Sequence, residues 1–296
     1  MSIMEEILVK KIIHDCDNTM GVSGCDVDDG LAILYLLGRP DIEILGITSV
    51  YGNSDVETVY ANTLTMMKEL GRADIPVVRG CPDANSRESE AARFIVDMAN
   101  SNVGTLSILA TGPITNLYAA YLLDKTVFKK VSEIILMGGV TEPLIINGRE
   151  LKELNLSCDP EATNNVLMNG KNVTAITGNA CLDAFFPQRD FQERLALSNS
   201  PMAKYISEKC SYWFEQMMET FDINGFFNWD VVAAVRLAEP SLFRDIRYRF
   251  KPGMSELKRG LLIESNEVSS RPCVINKPEI KNIKAFSDEV YLGWLK

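Results

Sequence analysis

The stretch TLSILATGPITNLYAAYLLDKTVFKKVSEIILM, residues 105–137, contains the repeating unit of the fold. Its two ends, 105–110 and 133–137, are short apolar runs bounded by turn residues and therefore predict strands. Between them, 113–123 carries apolar residues at helical spacing, which predicts a helix. A strand–helix–strand unit of this kind is typical of a parallel sheet whose faces are covered by helices.

The same alternation extends over about the first 180 residues. Predicted strands cover 7–14, 42–50, 75–78, 105–110, 133–137 and 172–177, and predicted helices cover 28–37, 54–71, 87–100, 113–123 and 160–168. The sequence therefore predicts an α/β protein with a mainly parallel central sheet and helices on both faces. In such sheets the sites lie in loops beyond the carboxyl ends of the strands.

After about residue 185 the pattern becomes more helical. Helices are predicted at 201–221, 229–238 and 286–296, and short strands at 247–250, 260–264 and 271–275. No linker rich in Pro, Gly or Ser and no internal repeat divides the 296 residues. We therefore expect a single domain over 1–296.

The composition is that of an acidic globular protein. The chain has 30 Lys and Arg against 40 Asp and Glu, a formal net charge of −10, and 46% hydrophobic residues. This charge argues against nucleic acid as a partner, since phosphate binding needs clustered Lys and Arg. No apolar run reaches the ~18 residues that would span a membrane. The N-terminus, MSIMEEILVKK, lacks the features of a signal peptide, so we expect a cytoplasmic protein.

The cysteine and histidine counts restrict the chemistry. Seven cysteines are scattered without a CxxC pair, which indicates reduced thiols and no zinc site. His14 is the only histidine in the sequence. A His-rich metal site is thereby excluded, and the count argues against a Ser-His-Asp triad. Carboxylates and amides must carry any chemistry.

The densest group of carboxylates follows the first predicted strand. The segment DCDNTMGVSGCDVDDG, residues 15–30, contains Asp15, Asp17, Asp26, Asp28 and Asp29. Carboxylates this close repel one another unless a cation neutralises them. Oxygen ligands in the near absence of imidazole indicate a hard cation, Ca²⁺ or Mg²⁺.

This opening segment resembles two families. In haloacid-dehalogenase-type phosphatases, which use Mg²⁺, Asp15 would be the nucleophile and Asp17 the acid/base. The segment also resembles the DxDxGxDxDDA opening of nucleoside hydrolases, with about five extra residues in the Gly-rich loop at 18–27 and Gly30 in place of Ala. The opening alone does not separate the two families.

The downstream sequence resembles nucleoside hydrolases over nearly the whole chain. The matching blocks are GITSVYGN, which ends at Asn53, then ATGPITNL at 110–117, IILMGGV at 134–140, KELNLSCDPEA at 152–162 and NWDVVAA at 228–234. A phosphatase would need none of these blocks. The ordered matches therefore favour a nucleoside hydrolase.

The resemblance implies a role for each matching position. It implies a bound Ca²⁺ whose ligands are Asp17, Asp29, the backbone carbonyl of Thr111 and Asp230. It implies a ribose-binding set formed by Asp28, Asn53, Asn147, Glu153 and Asn155, with Met137 packed beside the sugar. It further implies a small-molecule nucleoside as substrate and a homodimer or homotetramer.

The chemistry of the reaction agrees with these roles. Cleavage of an N-glycosidic bond passes through a ribosyl cation-like state and needs an activated water. A carboxylate-bound Ca²⁺ could hold that water, and Asp17 could accept its proton. Glu153 and the amides would orient the hydroxyls. None of these roles requires histidine.

One departure from the family concerns the leaving base. Many members have a His before the late Asp, where this chain has Trp229. We interpret Trp229 as a stacking face for the base and expect a purine preference. We expect His14 to be a packed strand residue.

Two alternatives stay open on the sequence alone. One is the Mg²⁺-dependent phosphohydrolase with Asp15 as nucleophile. The other is a non-catalytic nucleoside- or ribose-binding protein, since the enlarged loop at 18–27 could displace Asp17.

Overall fold

The computed structural model describes residues 9–251, 253–264 and 273–296. The strands among them are β1 Lys10–Cys16, β2 Ile42–Ser49, β3 Val77–Val78, β4 Leu106–Ala110, β5 Glu133–Met137, β6 Leu144–Ile146, β7 Arg149–Leu151, β8 Val173–Ile176, β9 Phe185–Pro187, β10 Gly225–Phe227, β11 Phe243–Arg244, β12 Arg247–Phe250, β13 Cys273–Asn276 and β14 Glu279–Ile280.

Helices connect most of these strands. They are α1 Asp28–Leu37, α2 Val56–Glu69, α3 Glu90–Ser101, α4 Thr115–Leu123, α5 Val127–Lys130, α6 Pro160–Asn169, α7 Gly178–Cys181, α8 Gln188–Ala196, α9 Pro201–Phe221, α10 Trp229–Ala238, α11 Met254–Leu257 and α12 Ile283–Trp294, with a 3-10 turn at Pro240–Leu242. Side-chain caps fix several starts: Asp55, Ser89 and Asp159 accept the backbone N–H of the third helical residue in α2, α3 and α6.

The central sheet has eight strands in the order β12-β13-β8-β5-β4-β1-β2-β3. All neighbours pair in parallel except β12, which runs antiparallel to β13. One edge strand, β3, is only two residues long. The other, β12, alternates exposed arginines with buried aromatic residues. The predicted α/β class with a mainly parallel sheet is confirmed.

Alternate residues of the strands contribute their side chains to two hydrophobic cores, one on each face of the sheet. Ile12 and Leu109 pack into a core that includes residues of α1, α9, α10 and α12. Ile13 and Ile108 point the other way, into a core with residues of α3, α4 and α6. Since both faces are covered, the central strands are apolar on both sides, as the sequence pattern required.

Several predicted boundaries need correction. Strand β1 ends at Cys16, two residues later than predicted, because Asp15 is buried in the sheet by hydrogen bonds. The run 260–264 is no strand, and only the bridges Val140–Leu261 and Phe250–Glu264 form there. The strand predicted at 271–275 corresponds to β13, and positions 7, 8, 271 and 272 lie outside the described residues.

The parallel strands place the candidate loops at one edge of the sheet. Asp17 follows β1, Asn53 follows β2, Thr111 follows β4, and Met137 is the last residue of β5. The carboxyl ends of neighbouring parallel strands meet at the same edge, so these residues approach one another. Among the described residues, no helix has the length and apolarity needed to cross a membrane.

Candidate active site

Four buried aspartates converge at the carboxyl end of the sheet. Carboxylate oxygens of Asp28, Asp29 and Asp230 lie within 4.8 Å of one another, and the carboxyl of Asp17 lies beside that of Asp29. Asp28 and Asp29 begin α1, and Asp230 lies in the first turn of α10. The positive ends of both helix dipoles therefore point at the cluster and favour its negative charge. We call these four residues the acidic floor.

Within the part of the chain that the structure describes, no lysine, arginine or histidine forms a salt bridge with the acidic floor. Burial, together with the negative charge of Asp28, raises the pKa of Asp17 to about 7. Burial and neighbouring carboxylates raise the pKa of Asp29 and of Asp230 well above the usual range. Asp17 Oδ1 and Asp29 Oδ2 are buried and have no hydrogen-bond partner among the described residues. A hard divalent cation fits this set of unpaired oxygens.

Backbone atoms at two neighbouring loops hold Asp17 in place. Asp17 Oδ2 accepts the backbone N–H of Asn53 at 2.6 Å. A Cβ at Gly52 would lie 2.1 Å from the same oxygen, and one at Gly112 would lie 2.7 Å from Oδ1. Only glycine fits at these two positions, so the loops after β2 and β4 close tightly around this carboxylate.

Thr111 joins the only histidine to the acidic floor. Its hydroxyl donates to Asp29 Oδ1 at 2.6 Å and lies 2.8 Å from His14 Nε2. Since the hydroxyl proton goes to Asp29, Nε2 of His14 carries a proton and donates it to Thr111. Burial lowers the pKa of His14 to about 3, so its imidazole is neutral. His14 is packed in strand β1, as expected. Through Thr111 it also orients the carboxylate of Asp29.

Cys16 and His14 approach Asp29 from the strand side. Ligand atoms of these three residues also lie within 4.8 Å of one another. However, burial and nearby carboxylates raise the pKa of the Cys16 thiol, which keeps it protonated, and metals bind the thiolate. The acidic floor is therefore the better candidate for a metal site.

A cavity of about 270 Å³ opens above the acidic floor, and we call it the substrate cavity. It is lined by the predicted residues Asp28, Asn53, Thr111, Met137, Glu153, Asn155, Trp229 and Asp230. Apolar side chains such as Leu144 and Leu151 complete its wall. The structure thus brings together residues from six separate segments of the chain.

Asn155 links the cavity wall to the loop after β4. Its Nδ2 donates to the backbone carbonyls of Thr111 at 2.8 Å and of Met137 at 3.1 Å. The Thr111 carbonyl, expected as a metal ligand, therefore has one lone pair engaged and one left.

Glu153 is held by backbone amides. Its carboxylate accepts the N–H groups of Gly139 at 3.0 Å, Leu156 at 2.7 Å and Ser157 at 2.7 Å. These bonds fix the loops at both ends of the cavity wall. Glu153 thus lines the cavity, but its oxygens already have partners within the protein.

Three predicted site residues do not line the cavity: Asp17 and Asp29, which are buried in the acidic floor, and Asn147. Of these, Asn147 alone lies outside the acidic floor. It is exposed, and its Nδ2 donates to the carbonyls of Phe221 at 3.0 Å and Asp222 at 3.3 Å. Asn147 and Gly148 have φ of 46° and 78° and form the two-residue turn between β6 and β7. Asn-Gly is the preferred pair for such a turn, so local backbone geometry places Asn147 there.

Asp15 lies inside the sheet, away from the substrate cavity. Its Oδ1 accepts from Thr48 Oγ1 at 2.6 Å and Asn116 Nδ2 at 2.8 Å, and burial raises its pKa to about 7. The carboxylate has no exposed surface. Asp15 is thus held by partners within the sheet and belongs neither to the acidic floor nor to the cavity lining, which gives the phosphohydrolase alternative no support.

Two charged residues line the cavity without a role predicted from the sequence. Asp26, one of the five loop carboxylates, lines the cavity, and so does Lys152. The position of Lys152 directly before the KELNLSCDPEA glutamate was the available signal. Lys152 lies between Leu151 and Glu153 in the chain, and all three line the cavity.

The family model of the inosine-uridine preferring nucleoside hydrolases matches residues 12–276. The chain belongs to this family. A nucleoside hydrolase cleaves the N-glycosidic bond of ribonucleosides, so the prediction from the sequence blocks is confirmed. Membership decides against the phosphohydrolase with Asp15 as nucleophile and against the non-catalytic binding protein.

Individual relatives of this nucleoside hydrolase agree in fold and family. It is 27% identical to a protein named probable uridine nucleosidase 2 from Arabidopsis thaliana, over 90% of this chain and 91% of that one. Over 56% of this chain and 60% of the relative, it is 29% identical to the inosine-uridine preferring nucleoside hydrolase of Leishmania major.

Solved structures share the fold of this nucleoside hydrolase. A plant nucleoside hydrolase superposes with a TM-score of 0.84 at 23% identity, covering 97% of this chain and 99% of the other. A purine-preferring ribonucleoside hydrolase from Gardnerella vaginalis superposes with a TM-score of 0.82 at 23% identity, covering 96% and 98%.

Proposed function

We propose that this nucleoside hydrolase uses Ca²⁺ and Asp17 to hydrolyse ribonucleosides to free nucleobase and ribose. The observation that supports this proposal is the acidic floor beneath the substrate cavity, with unpartnered oxygens on Asp17 and Asp29. Asp17, Asp29, Asp230 and the carbonyl of Thr111 would hold the ion. Ca²⁺ accepts six to eight oxygen ligands, including carbonyls, so a mixed set of this kind suits it.

The bound ion would supply positive charge that lowers the pKa of a water molecule and binds the ribose hydroxyls. Asp17 then takes the proton of the attacking water. Its Oδ1 is free of protein partners, while Oδ2 is fixed by the Asn53 amide. The water oxygen bonds to C1′, the N-glycosidic bond breaks, and its electron pair leaves with the base. A carboxylate held in this way contributes typically ~10²–10⁴-fold as a general base.

The ribose is oriented by residues around the acidic floor. Asp28 and Asn53 line the cavity beside it. Asn155 donates through Nδ2 to two carbonyls, which leaves its Oδ1 to accept a hydroxyl proton. Glu153 acts by ordering the wall, because its oxygens accept three amides. Met137 packs beside the sugar.

The departing base must obtain its proton without an imidazole. His14 is buried and its pKa is lowered to about 3, so it cannot act as the acid. Trp229 is half-buried, lines the cavity and packs at 5.0 Å against the ring of Phe227. A base stacked on Trp229 can spread its developing charge and take a proton from solvent. An indole overlaps a two-ring base more than a one-ring base, so we propose a purine preference.

The names of the relatives indicate different preferred bases. The Arabidopsis relative is named a uridine nucleosidase, whereas the Gardnerella enzyme is named purine-preferring. The experiment is the release of reducing sugar from inosine, adenosine, uridine and cytidine, with and without a chelator. We expect inosine to exceed uridine in kcat/KM and expect the chelator to abolish both activities. Equal activity after exhaustive chelation would contradict the role of the metal.

Trp229→Ala tests the stacking directly. Aromatic stacking contributes roughly 0.5–1.5 kcal/mol beyond burial, so we expect inosine to lose about three- to tenfold in kcat/KM and uridine less. Phe227→Leu, next to the same ring, is the matched control for a general disturbance of the wall. Trp229 has no role in base selection if the Trp229 variant loses kcat/KM equally for inosine and uridine. The same holds if uridine is the better substrate of the native protein.

A further inference from the structure

The enlarged loop at 18–27 joins Asp17 to Asp28 and has no part in the mechanism described so far. It contributes the side chain of Asp26 to the lining of the substrate cavity. The carboxyl of Asp26 lies beside that of Asp28, one of the residues proposed to orient the ribose. The loop therefore brings an additional carboxyl to the part of the cavity that would hold the sugar.

Two consecutive turns fold this loop back on itself. The N–H of Val22 donates to the carbonyl of Thr19 at 2.8 Å, and the N–H of Cys25 donates to the carbonyl of Val22 at 3.1 Å. Gly21 and Gly24 have φ of 91° and 82°, which glycine adopts without steric cost. The folding brings Gly21 near Cys25, so that one side chain can bind both of them.

That side chain is Tyr212, in the middle of α9. Its hydroxyl donates to the carbonyl of Cys25 at 2.9 Å and accepts the N–H of Gly21 at 3.3 Å. The ring of Tyr212 is half-buried, and the residue lies 187 positions from Cys25 in the chain. A helix of 21 residues thus holds the loop through a single hydroxyl group.

The bond from Tyr212 acts on the backbone of Asp26. The Cys25 carbonyl belongs to the peptide bond that joins Cys25 to Asp26. On the other side, the carbonyl of Asp26 accepts the Thr19 hydroxyl at 3.0 Å, and its Oδ1 accepts the N–H of Val27 at 2.6 Å. Loss of the tyrosine hydroxyl would free the first of these peptide groups and change the direction of the Asp26 side chain.

The first half of the loop is held by a different helix. Asn62 of α2 donates through Nδ2 to the carbonyls of Asn18 at 3.2 Å and Met20 at 3.3 Å. Asp17 itself is bound by an amide of the loop after β2. A change at Tyr212 should therefore affect the second half of the loop and leave Asp17 in place.

We propose that Tyr212 is a positioning residue for substrate binding, and that Asp26, which it positions, accepts a hydrogen bond from a ribose hydroxyl. This proposal rests on the proposed function and assigns the enlarged loop to recognition of the sugar. An ionised carboxylate is an acceptor with capacity beyond the one amide that Asp26 already binds. The reaction breaks no bond of the ribose hydroxyls, so this contact should act equally on the ground state and the transition state. Its loss should then raise KM and leave kcat unchanged.

The test measures cleavage of inosine, in the presence of Ca²⁺, by the native chain and by Tyr212→Phe. We expect the variant to raise KM about three- to tenfold, the scale of one hydrogen bond, without a change in kcat. The inhibition constant of ribose should rise by the same factor, whereas that of hypoxanthine should not change. Tyr205→Phe is the matched control, because it removes a hydroxyl of the same helix that donates to Glu69 at 2.9 Å, and should leave KM unchanged.

A double-mutant cycle separates positioning of Asp26 from a general effect on the fold. Asp26→Ala should raise KM by at least about tenfold, the scale of a hydrogen bond to a charged group. Adding Tyr212→Phe to this variant should raise KM no further, because the side chain that the tyrosine positions is gone. Calorimetric titration should give the same Ca²⁺ affinity for Tyr212→Phe and the native chain.

Several outcomes would overturn the proposal while the proposed function stands. They are an unchanged KM in Tyr212→Phe, a fall in kcat at constant KM, and additive effects of the two substitutions. A loss of Ca²⁺ affinity in Tyr212→Phe would also overturn it, since the tyrosine would then support the acidic floor instead. If the native chain cleaves no nucleoside, the proposed function fails and this proposal fails with it.

Discussion

His14 contributes to the acidic floor through Thr111 rather than by direct contact with a ligand site. Its Nε2–H donates to the Thr111 hydroxyl, which in turn donates to Asp29 Oδ1. This chain of hydrogen bonds leaves Asp29 Oδ2 free of protein partners. Groups that orient a metal ligand from behind commonly change metal affinity when they are replaced.

His14→Leu should therefore weaken Ca²⁺ binding by about tenfold or more, the scale observed for such orienting groups. His14→Gln can present an amide N–H near the position of Nε2 and should retain most of the affinity. Calorimetric titration with Ca²⁺ measures both variants, with the melting temperature of each metal-free protein as the control for folding. Equal affinities of the two variants would show that the hydrogen bond to Thr111 has no effect on the metal.

Asp17→Asn keeps the shape of the side chain but removes the proposed proton acceptor. We expect turnover of the preferred nucleoside to fall by at least ~10², the scale of general base catalysis. Asp97→Asn, an exposed carboxylate of α3, is the matched control and should retain the native rate. Nucleoside cleavage at the native rate by the Asp17 variant would remove Asp17 from the mechanism.

The types of the site residues could be predicted from the sequence, but their exact partners could not. Asp17, Asp28 and Asp29 stand out because carboxylates so close together need a cation. The commitment of Glu153 to three amides depends on how residues 139 and 156–157 fold around it. The amides of Leu156 and Ser157 are local to Glu153 in sequence, but the amide of Gly139 is brought to it by tertiary packing, which leaves no local signal.

At the scale of elements, the hairpin of β6 and β7 decides the position of Asn147. Its strands are three residues long and are joined by a two-residue turn. Three-residue strands are too short for a visible alternation of apolar and polar residues, so the sequence analysis did not find them. The Asn-Gly pair was the available signal for this turn.

Asn147→Ala and Asn147→Gly separate a role in the turn from a role in ribose binding. Both lose the amide's bonds to Phe221 and Asp222, but only alanine must adopt the φ of 46° with a Cβ. We expect alanine to lower the free energy of unfolding by about 1 kcal/mol relative to glycine, as measured by urea denaturation. The KM of the nucleoside should be the same for both variants and the native protein. An increase in KM with both substitutions would show that Asn147 takes part in substrate binding.

The elements with strong periodicity were predicted well. The helix predicted at 201–221 is α9, and the one predicted at 229–238 is α10, in each case with the predicted bounds. The C-terminal helix begins at Ile283, three residues earlier than predicted, where the Asn282 side chain accepts the N–H of Ala285. The cap rather than the apolar spacing determines this start.

At the scale of the whole molecule, a metal ion bound at the acidic floor would couple its binding to folding. The acidic floor joins the loop after β1 to the start of α10, which is about 200 residues away in sequence. An ion that binds only the folded chain stabilises it by mass action, by about 2.7 kcal/mol at a concentration 100 times Kd. If Ca²⁺ binds as proposed, part of the stability of the folded protein depends on the ion.

We accordingly expect a chelator to lower the melting temperature of the native protein in differential scanning calorimetry. Added Ca²⁺ should restore it in proportion to the logarithm of the free ion concentration. Asp29→Asn removes one ligand charge and should show a much smaller response to chelation. A native protein that contains no metal by elemental analysis and melts at the same temperature with chelator has no such site.

The expected single domain and the homodimer or homotetramer remain predictions, and light scattering measures the subunit count.

The two edges of the central sheet affect how the protein behaves at high concentration. A strand of only two residues at one end, β3, offers few free amides and carbonyls to another chain. At the other end, β12 presents arginines on its exposed positions. Short and charged edges of this kind prevent sheets from joining end to end into fibrils. Crowded solutions of this enzyme should therefore stay free of amyloid-like deposits, although its interior strands are rich in the residues that form them.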